Sequence, residues 1–449
     1  MSETYVIKSK KVACDGRIAP LQVHIQDQKI KDVVAYEHNF SDVKVVDCGD
    51  LVVMPGLVDT HVHVNEPGRT EWEGFATATR AAARGGITTI VDMPLNCMPV
   101  TTSAKAFEVK LKAVKGKLSV DAGFYGGLVP GNNAELKPLA ELGVLGFKAF
   151  MVHSGIDDFP KVSAEDFRAA MPIIKKLGVP LLAHAELECP ISKPSTGSDQ
   201  SYQTFLDSRP HDWECEAIKL LIALCEETRC PVHVVHLSSS EALPILQKAR
   251  AKGLPITVET CPHYLVFNAE GIMRGDTRFK CTPPIRENAN REKLWAGLKA
   301  GIIDFVVSDH SPCTPVLKKL EEGSFTEAWG GIASLQFGLS SIWTEAKARG
   351  IELPSLVSWL STGPAKFVGL THKKGQIAKG FDADLVVWDP DSEVQITSEH
   401  IEHRHKLTPY EGKKLFGLVK ETYLRGKRIY SDKDGFLAKP AGEALLRKI

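Results

Sequence analysis

The stretch GLVDTHVHVNEPGRTEWEGFATATRAAARGGITTIVDMP (Gly56–Pro94) decides the fold. LVDTHVHV is a short apolar run, EGFATATRAAARGG carries helical spacing and stops on glycine, and TTIVDMP is a second short apolar run. Two strand-length runs joined by one helix read as a parallel strand–helix–strand unit. The alternation continues downstream. LGFKAFM, VPLLAHAE, CPVHVVHLS, LPITVETCPHY and IDFVVSDHSP are strand-length runs, separated by helical stretches such as SAEDFRAAMPIIKKLG, SEALPILQKARAKG and NREKLWAGLKAG. About eight such units over roughly 320 residues predict a (β/α)8 barrel rather than an open doubly wound sheet. No G-x-G-x-x-G or G-x-x-x-x-G-K-[ST] follows a strand, so dinucleotide and P-loop functions find no support.

The flanks read differently. TYVIKS, PLQVHIQD, KIKDVVAY and VKVVDC before the barrel, and ADLVVWD, EVQIT and VKETYLRGKRIY after it, are short strands broken by turn residues. The expected division is a β-sandwich domain built from both termini, residues 1–53 and 373–449, around a catalytic barrel at 54–372. The chain has 449 residues and a formal net charge of zero, which points away from nucleic acid, membrane surfaces and polyanionic partners. The N-terminus lacks the apolar core of a signal peptide, and no apolar run is long enough to span a membrane, so a cytoplasmic location is expected, with peroxisomal and mitochondrial routes left open. Ten scattered cysteines with no C-x-x-C pair read as reduced thiols. Cys313 either lines a pocket or fills space as a small buried hydrophobe.

In a barrel, chemistry sits at the carboxyl ends of the strands, and those ends carry an unusual set of polar groups. His61 and His63 lie two apart and face the same way. Two inward imidazoles at one strand end call for a metal rather than for core packing. Lys148 stands inside the apolar strand VLGFKAFM, the third strand element in this reading. An isolated ammonium there costs several kcal/mol. Either a carboxylate pairs with it, or it stays neutral and takes up carbon dioxide as a carbamate able to bridge two metals. His184 ends PLLAHAE, His236 ends PVHVVHLSS and Asp309 ends DFVVSDHSP. His233, three residues before His236, is expected to face the other way, and His263 and His310 to lie behind the ligands or serve structure. The set suits two borderline-soft divalent ions with N and O ligands, zinc first.

These residues resemble the cyclic-amidohydrolase branch of the amidohydrolase superfamily, which holds the dihydroorotases, the dihydropyrimidinases (hydantoinases) and the allantoinases. The likeness runs from PGLVDTHVH through GFKAF, HLSS and SDHSP to GQIAKGFDADLVVWD. Within the branch, NEPGRTEWEGF, GGITTIVDMPLN, FYGGLVPGN, KCTPPIR, SDHSPCTP and WGGIASLQ are most similar to the allantoinases. The resemblance implies two Zn2+ held by His61, His63, N6-carboxylated Lys148, His184, His236 and Asp309. It further implies a hydroxide shared by the metals, Asp309 as the catalytic proton shuttle, allantoin opened to allantoate, and a homotetramer. Dihydroorotases have an arginine two residues after the second histidine to grip a carboxylate. This chain has Asn65, which is uncharged and suits a neutral ring, and Arg69 is not assumed to replace that arginine. Hydantoinases carry a tyrosine five residues after the modified lysine, where this chain has His153, a candidate donor to the reacting carbonyl. Asn96 and Ser311 match substrate-contacting positions. Another cyclic amide (hydantoin, dihydropyrimidine or dihydroorotate) is the alternative substrate. Dihydropyrimidinase-like scaffold proteins lack most of the metal ligands, whereas all six are present here. Residues 186–212, rich in Ser, Pro, Asp and Gly, are expected to form a mobile loop over the barrel mouth.

Overall fold

The computed structural model describes residues 4–191, 197–437 and 439–448. Eight parallel strands ring the barrel among them: Leu57–Val62, Ile87–Asp92, Asp121–Phe124, Phe147–Phe150, Leu181–His184, Val232–Val234, Ile256–Thr260 and Phe305–Val306. A parallel bridge between Val62 and His310 closes the ring, reinforced by the His63 amide donating to the His310 carbonyl at 2.8 Å. The helical stretches read from the sequence form Phe75–Arg84, Ala164–Leu177, Leu243–Ala251 and Asn288–Lys299. Ser163 opens the second of these with a reciprocal cap to Asp166, and Gly178 closes it in the left-handed region.

One element of the ring corrects the sequence reading. Lys148 lies on the fourth barrel strand, not the third. The third is the glycine-rich run Asp121–Phe124, which pairs with Ile87–Asp92 and continues as Gly126–Gly127 beside Phe147–Lys148. Its glycines are small because neighbours press on them: a Cβ on Gly123 would stand 2.4 Å from Leu145, and one on Gly127 would stand 2.5 Å from Phe159. A strand with so little side chain gives no hydrophobic run to find.

Strands from both termini form one nine-stranded sheet. Its N- and C-terminal halves meet where Leu385–Trp388 pairs antiparallel with Val52–Pro55. Two residues after Pro55 the first barrel strand begins, so the sheet fixes where that strand starts. A buried ionic knot fastens the two parts: the Lys374 ammonium contacts Asp121 at 2.7 Å, Asp384 at 2.5 Å and Asp382 at 3.0 Å, and Arg425 adds a 2.5 Å contact to Asp121. Among the described residues no helix is long and apolar enough to cross a membrane. All ten cysteines are free, and Cys313 is buried. Of the expected loop over the mouth, residues 192–196 fall outside the described part. The remainder includes the helix Tyr202–Asp207, anchored by buried Tyr202, Phe205 and Leu206.

Candidate metal centre

Asp59 shows how the barrel sets the site. Buried on the first strand, it accepts the His61 amide at 3.1 Å and the Ser308 amide at 3.0 Å, so it locks the first strand to the last. Burial pushes its carboxyl up to about 7, against those donors. Beyond this clamp the chain turns sharply. Asn65, Asn96, His236 and Asp309 all adopt positive φ, at 65°, 63°, 39° and 43°. A non-glycine residue in that region is strained, and such strain collects where side chains must be aimed rather than packed.

The aimed side chains converge. His61 Nε2 lies 3.2 Å and His63 Nε2 3.4 Å from Asp309 Oδ1, and Ser311 donates to the same oxygen at 2.9 Å. The His61 and His236 rings are 5.3 Å apart, and those of His184 and His236 are 4.6 Å apart. His61, His236 and Asp309 each offer a ligand atom within 4.8 Å of the others, a group able to hold a metal ion. Two of the remaining nitrogens are turned to carboxylates. His61 Nδ1 meets Glu259 Oε1 at 2.5 Å, and His184 Nε2 meets Glu186 Oε2 at 2.7 Å. Such a pairing fixes the tautomer and leaves the other nitrogen free for a cation.

Electrostatics favour ligands over acids. Burial, helped by Lys148 and the neighbouring histidines, holds His61 well below its ordinary range, and burial with His184 and Lys148 does the same for His236. Both imidazoles are therefore neutral. Lys148 is fully buried, its ammonium lies 5.0 Å over the Phe150 ring, and Nζ has no hydrogen-bond partner. Burial brings its pKa down to about 8, partly offset by Asp309 and Glu259. Of the two readings of this lysine, the ion pair finds no contact here. For Asp309, burial alone would raise the carboxyl, but the His63 contact and nearby cations outweigh it and hold the group below its usual value.

Asn65 is buried, donates to the Pro312 carbonyl at 3.2 Å and leaves its own Oδ1 without a partner. The Asn96 amide lies 3.5 Å from His63 Nδ1. Turned over, its oxygen would accept from that nitrogen once Nε2 serves a cation. His153 stays apart from this cluster: its side chain is 59% exposed, it pairs with Asp157 at 3.3 Å, and it lines the rim of a cleft of about 610 Å3 with Arg209, Lys280 and Trp329. His233 departs from its expected orientation. Its Nε2 reaches Glu259 Oε2 at 3.0 Å, so it shares an anchor with His61. Strand alternation does not carry through to His236, because the strand stops at Val234 and His236 takes a left-handed turn. His310 lies behind the ligands, 3.3 Å from Glu73. Sequence reasoning passed over Glu259 and Glu186. The signal was there, since each is an acid at the end of an apolar strand, as Asp309 is.

A closed (β/α)8 barrel with imidazoles, a buried lysine and an aspartate gathered at its strand ends defines an amidohydrolase: the chain matches the Amidohydrolase family over residues 52–429 and belongs to it. Its relatives narrow the comparison. It is 44% identical to an allantoinase of Arabidopsis thaliana, covering 95% of this chain and 88% of that one. It is 46% identical to an allantoinase of Streptomyces avermitilis, covering 99% and 98%. It is 51% identical to a mitochondrial allantoinase of Aquarana catesbeiana, covering 82% and 76%. Among solved structures, an L-hydantoinase (dihydropyrimidinase) from Arthrobacter aurescens superposes with a TM-score of 0.92 at 29% identity, covering 99% of each chain.

Proposed function

We propose that this chain is a metal-dependent cyclic amide hydrolase that opens the hydantoin ring of allantoin to give allantoate. The observation that carries the substrate is identity of 44–51% to allantoinases over most of the chain, against 29% to the hydantoinase of the same fold. The site agrees with it. Asn65 puts a neutral amide where a carboxylate-bearing ring would need a cation, and its unpartnered Oδ1 asks for an N–H donor.

The donor set fits a pair of divalent ions. Lys148 Nζ and His236 Nδ1 are buried with no partner, a condition that costs about 1–3 kcal/mol per group. A carbamate on Lys148 and cations beside it would relieve both. We assign the holding of two Zn2+ to His61, His63, His184, His236, Asp309 and N6-carboxylated Lys148. When bound, such ions acidify a water and polarise the amide carbonyl.

The chain's own residues do the rest. The Asp309 carboxylate takes the proton of the attacking oxygen and hands it to the departing ring nitrogen. The Ser311 hydroxyl, donating to Asp309 Oδ1, keeps that carboxylate aimed. Glu259 and Glu186 hold the tautomers of His61 and His184. Asn65 accepts a ring N–H and sets the ring's orientation.

The test is product formation by the purified protein. Allantoate should accumulate with one equivalent of base consumed per ring, and Asp309→Asn should lower the rate by at least about 100-fold. An inert protein, or a variant with full activity, sinks the reading. We further assign a homotetramer, a cytosolic location and a catalytic unit at 54–372 flanked by a domain from 1–53 and 373–449. Light scattering, cell fractionation and limited proteolysis check these in turn.

A further inference from the structure

We infer that a further soft divalent cation, zinc or cadmium, binds beside the catalytic pair at Cys261, His263 and Asp309, and that its binding stops turnover by taking the Asp309 carboxylate. The pair of ions beside it and the inhibition rest on the proposed function; the Cys261–His263 site itself does not.

The geometry is local and built. The strand Ile256–Thr260 ends one residue before Cys261, and Pro262 starts the short helix Pro262–Val266 that carries His263. Cys261 and His263 are fully buried, and with Asp309 they offer three ligand atoms within 4.8 Å of one another. An independent observation points to a ligand: neither ring nitrogen of His263 has a hydrogen-bond partner. The ring lies edge-on against Tyr264, at 4.2 Å between centroids, but that contact satisfies no nitrogen. A buried imidazole with both nitrogens idle is costly, and a cation would take one of them.

Asp309 can serve a further ion because its contacts are one-sided. His61, His63 and Ser311 all reach Oδ1, which leaves Oδ2 for another cation. A tetrahedral site with bonds of about 2.0–2.3 Å sets its ligand atoms about 3.3–3.8 Å apart, so these three must draw together on binding. A thiolate, an imidazole and one carboxylate select zinc or cadmium and reject magnesium or calcium. On binding, the Cys261 thiol gives its proton to solvent and the S–H electron pair stays on sulfur, where it is donated to the ion, so no oxidant or reductant is involved. The proton-moving carboxylate is then tied to the intruding ion.

Cadmium titration of protein already loaded with two metals provides the test, because a cadmium–thiolate bond gives an ultraviolet charge-transfer band that no oxygen or nitrogen ligand produces. Among the described residues no other cysteine joins such a group. The expected result is a third equivalent with that band in the parent, no band in Cys261→Ser, and at least about tenfold weaker uptake in His263→Gln, which keeps the thiol. Excess zinc should inhibit the parent and spare both variants, each measured against its own rate. A parent without the band, or a Cys261→Ser protein that keeps it, overturns the inference. Should allantoin prove inert while the band appears and follows Cys261, the proposed function fails and this site stands.

Discussion

At the residue scale the account turns on Lys148. A lysine that burial brings to about 8 is largely protonated at pH 7, and only the neutral amine adds carbon dioxide. Reconstitution of metal-free protein with zinc at a fixed concentration of dissolved carbon dioxide should therefore slow about tenfold per pH unit below about 8, as followed by metal uptake. Lys148→Ala should lose metal, with short carboxylic acids restoring part of it; a variant holding both metals at full rate contradicts the carbamate. Glu259 makes a second case. It anchors His61 at 2.5 Å and His233 at 3.0 Å, so Glu259→Gln should weaken metal binding by about 10–100-fold, read by competition with a chromogenic chelator. The sequence exposed His61, His63, Lys148, His184, His236 and Asp309 because each is out of place in an apolar strand. Glu259 was equally out of place, but its meaning lies in which histidine it touches, and spacing along the chain carries no such information.

At the element scale, strand ends matter more than strands. Strict alternation placed His61 and His63 on one side, yet it failed for His233 because the chain leaves β geometry before His236. Period-two reasoning holds only while φ stays extended. The segment that carries Arg209 supplies a testable link. Arg209 donates to Glu186 Oε2 at 2.7 Å, and the same oxygen meets His184 at 2.7 Å. Burial would raise Glu186, but Arg209 and His184 outweigh it and hold the carboxyl at about 2. Arg209 also lines the cleft of about 610 Å3, so it ties the mouth to a proposed ligand. Arg209→Met should loosen metal retention and raise KM together. A rise in KM with metal content unchanged would confine Arg209 to the cleft.

At the scale of the whole molecule, the barrel and the sheet from both termini were legible because repeated strand–helix units and period-two flanks are long-range patterns. The third barrel strand was not, since its buried glycines make room for Leu145 and Phe159 and carry no side chains that read as an apolar run. Nor was the knot of Lys374 with Asp382, Asp384 and Asp121, the last of which is 253 residues away in sequence. Burial alone would lower the Lys374 pKa, but the three carboxylates raise it above its ordinary value. Lys374→Met would leave those carboxylates without their shared cation and should destabilise the fold by about 3–5 kcal/mol, seen as a lower denaturation midpoint. Because the sheet sets where Leu57 begins, the metal content of the folded variant should fall as well. A variant as stable as the parent would show that Arg425 alone can hold the junction.

The most direct test of the central claim is to compare ring opening of allantoin, hydantoin, dihydrouracil and dihydroorotate before and after removal of metal by a chelator. The account predicts rapid allantoate formation, slow reaction of the other rings, loss of all activity on chelation and its return with zinc. Turnover of allantoin that survives complete metal removal, or a clear preference for dihydroorotate despite Asn65, would contradict it.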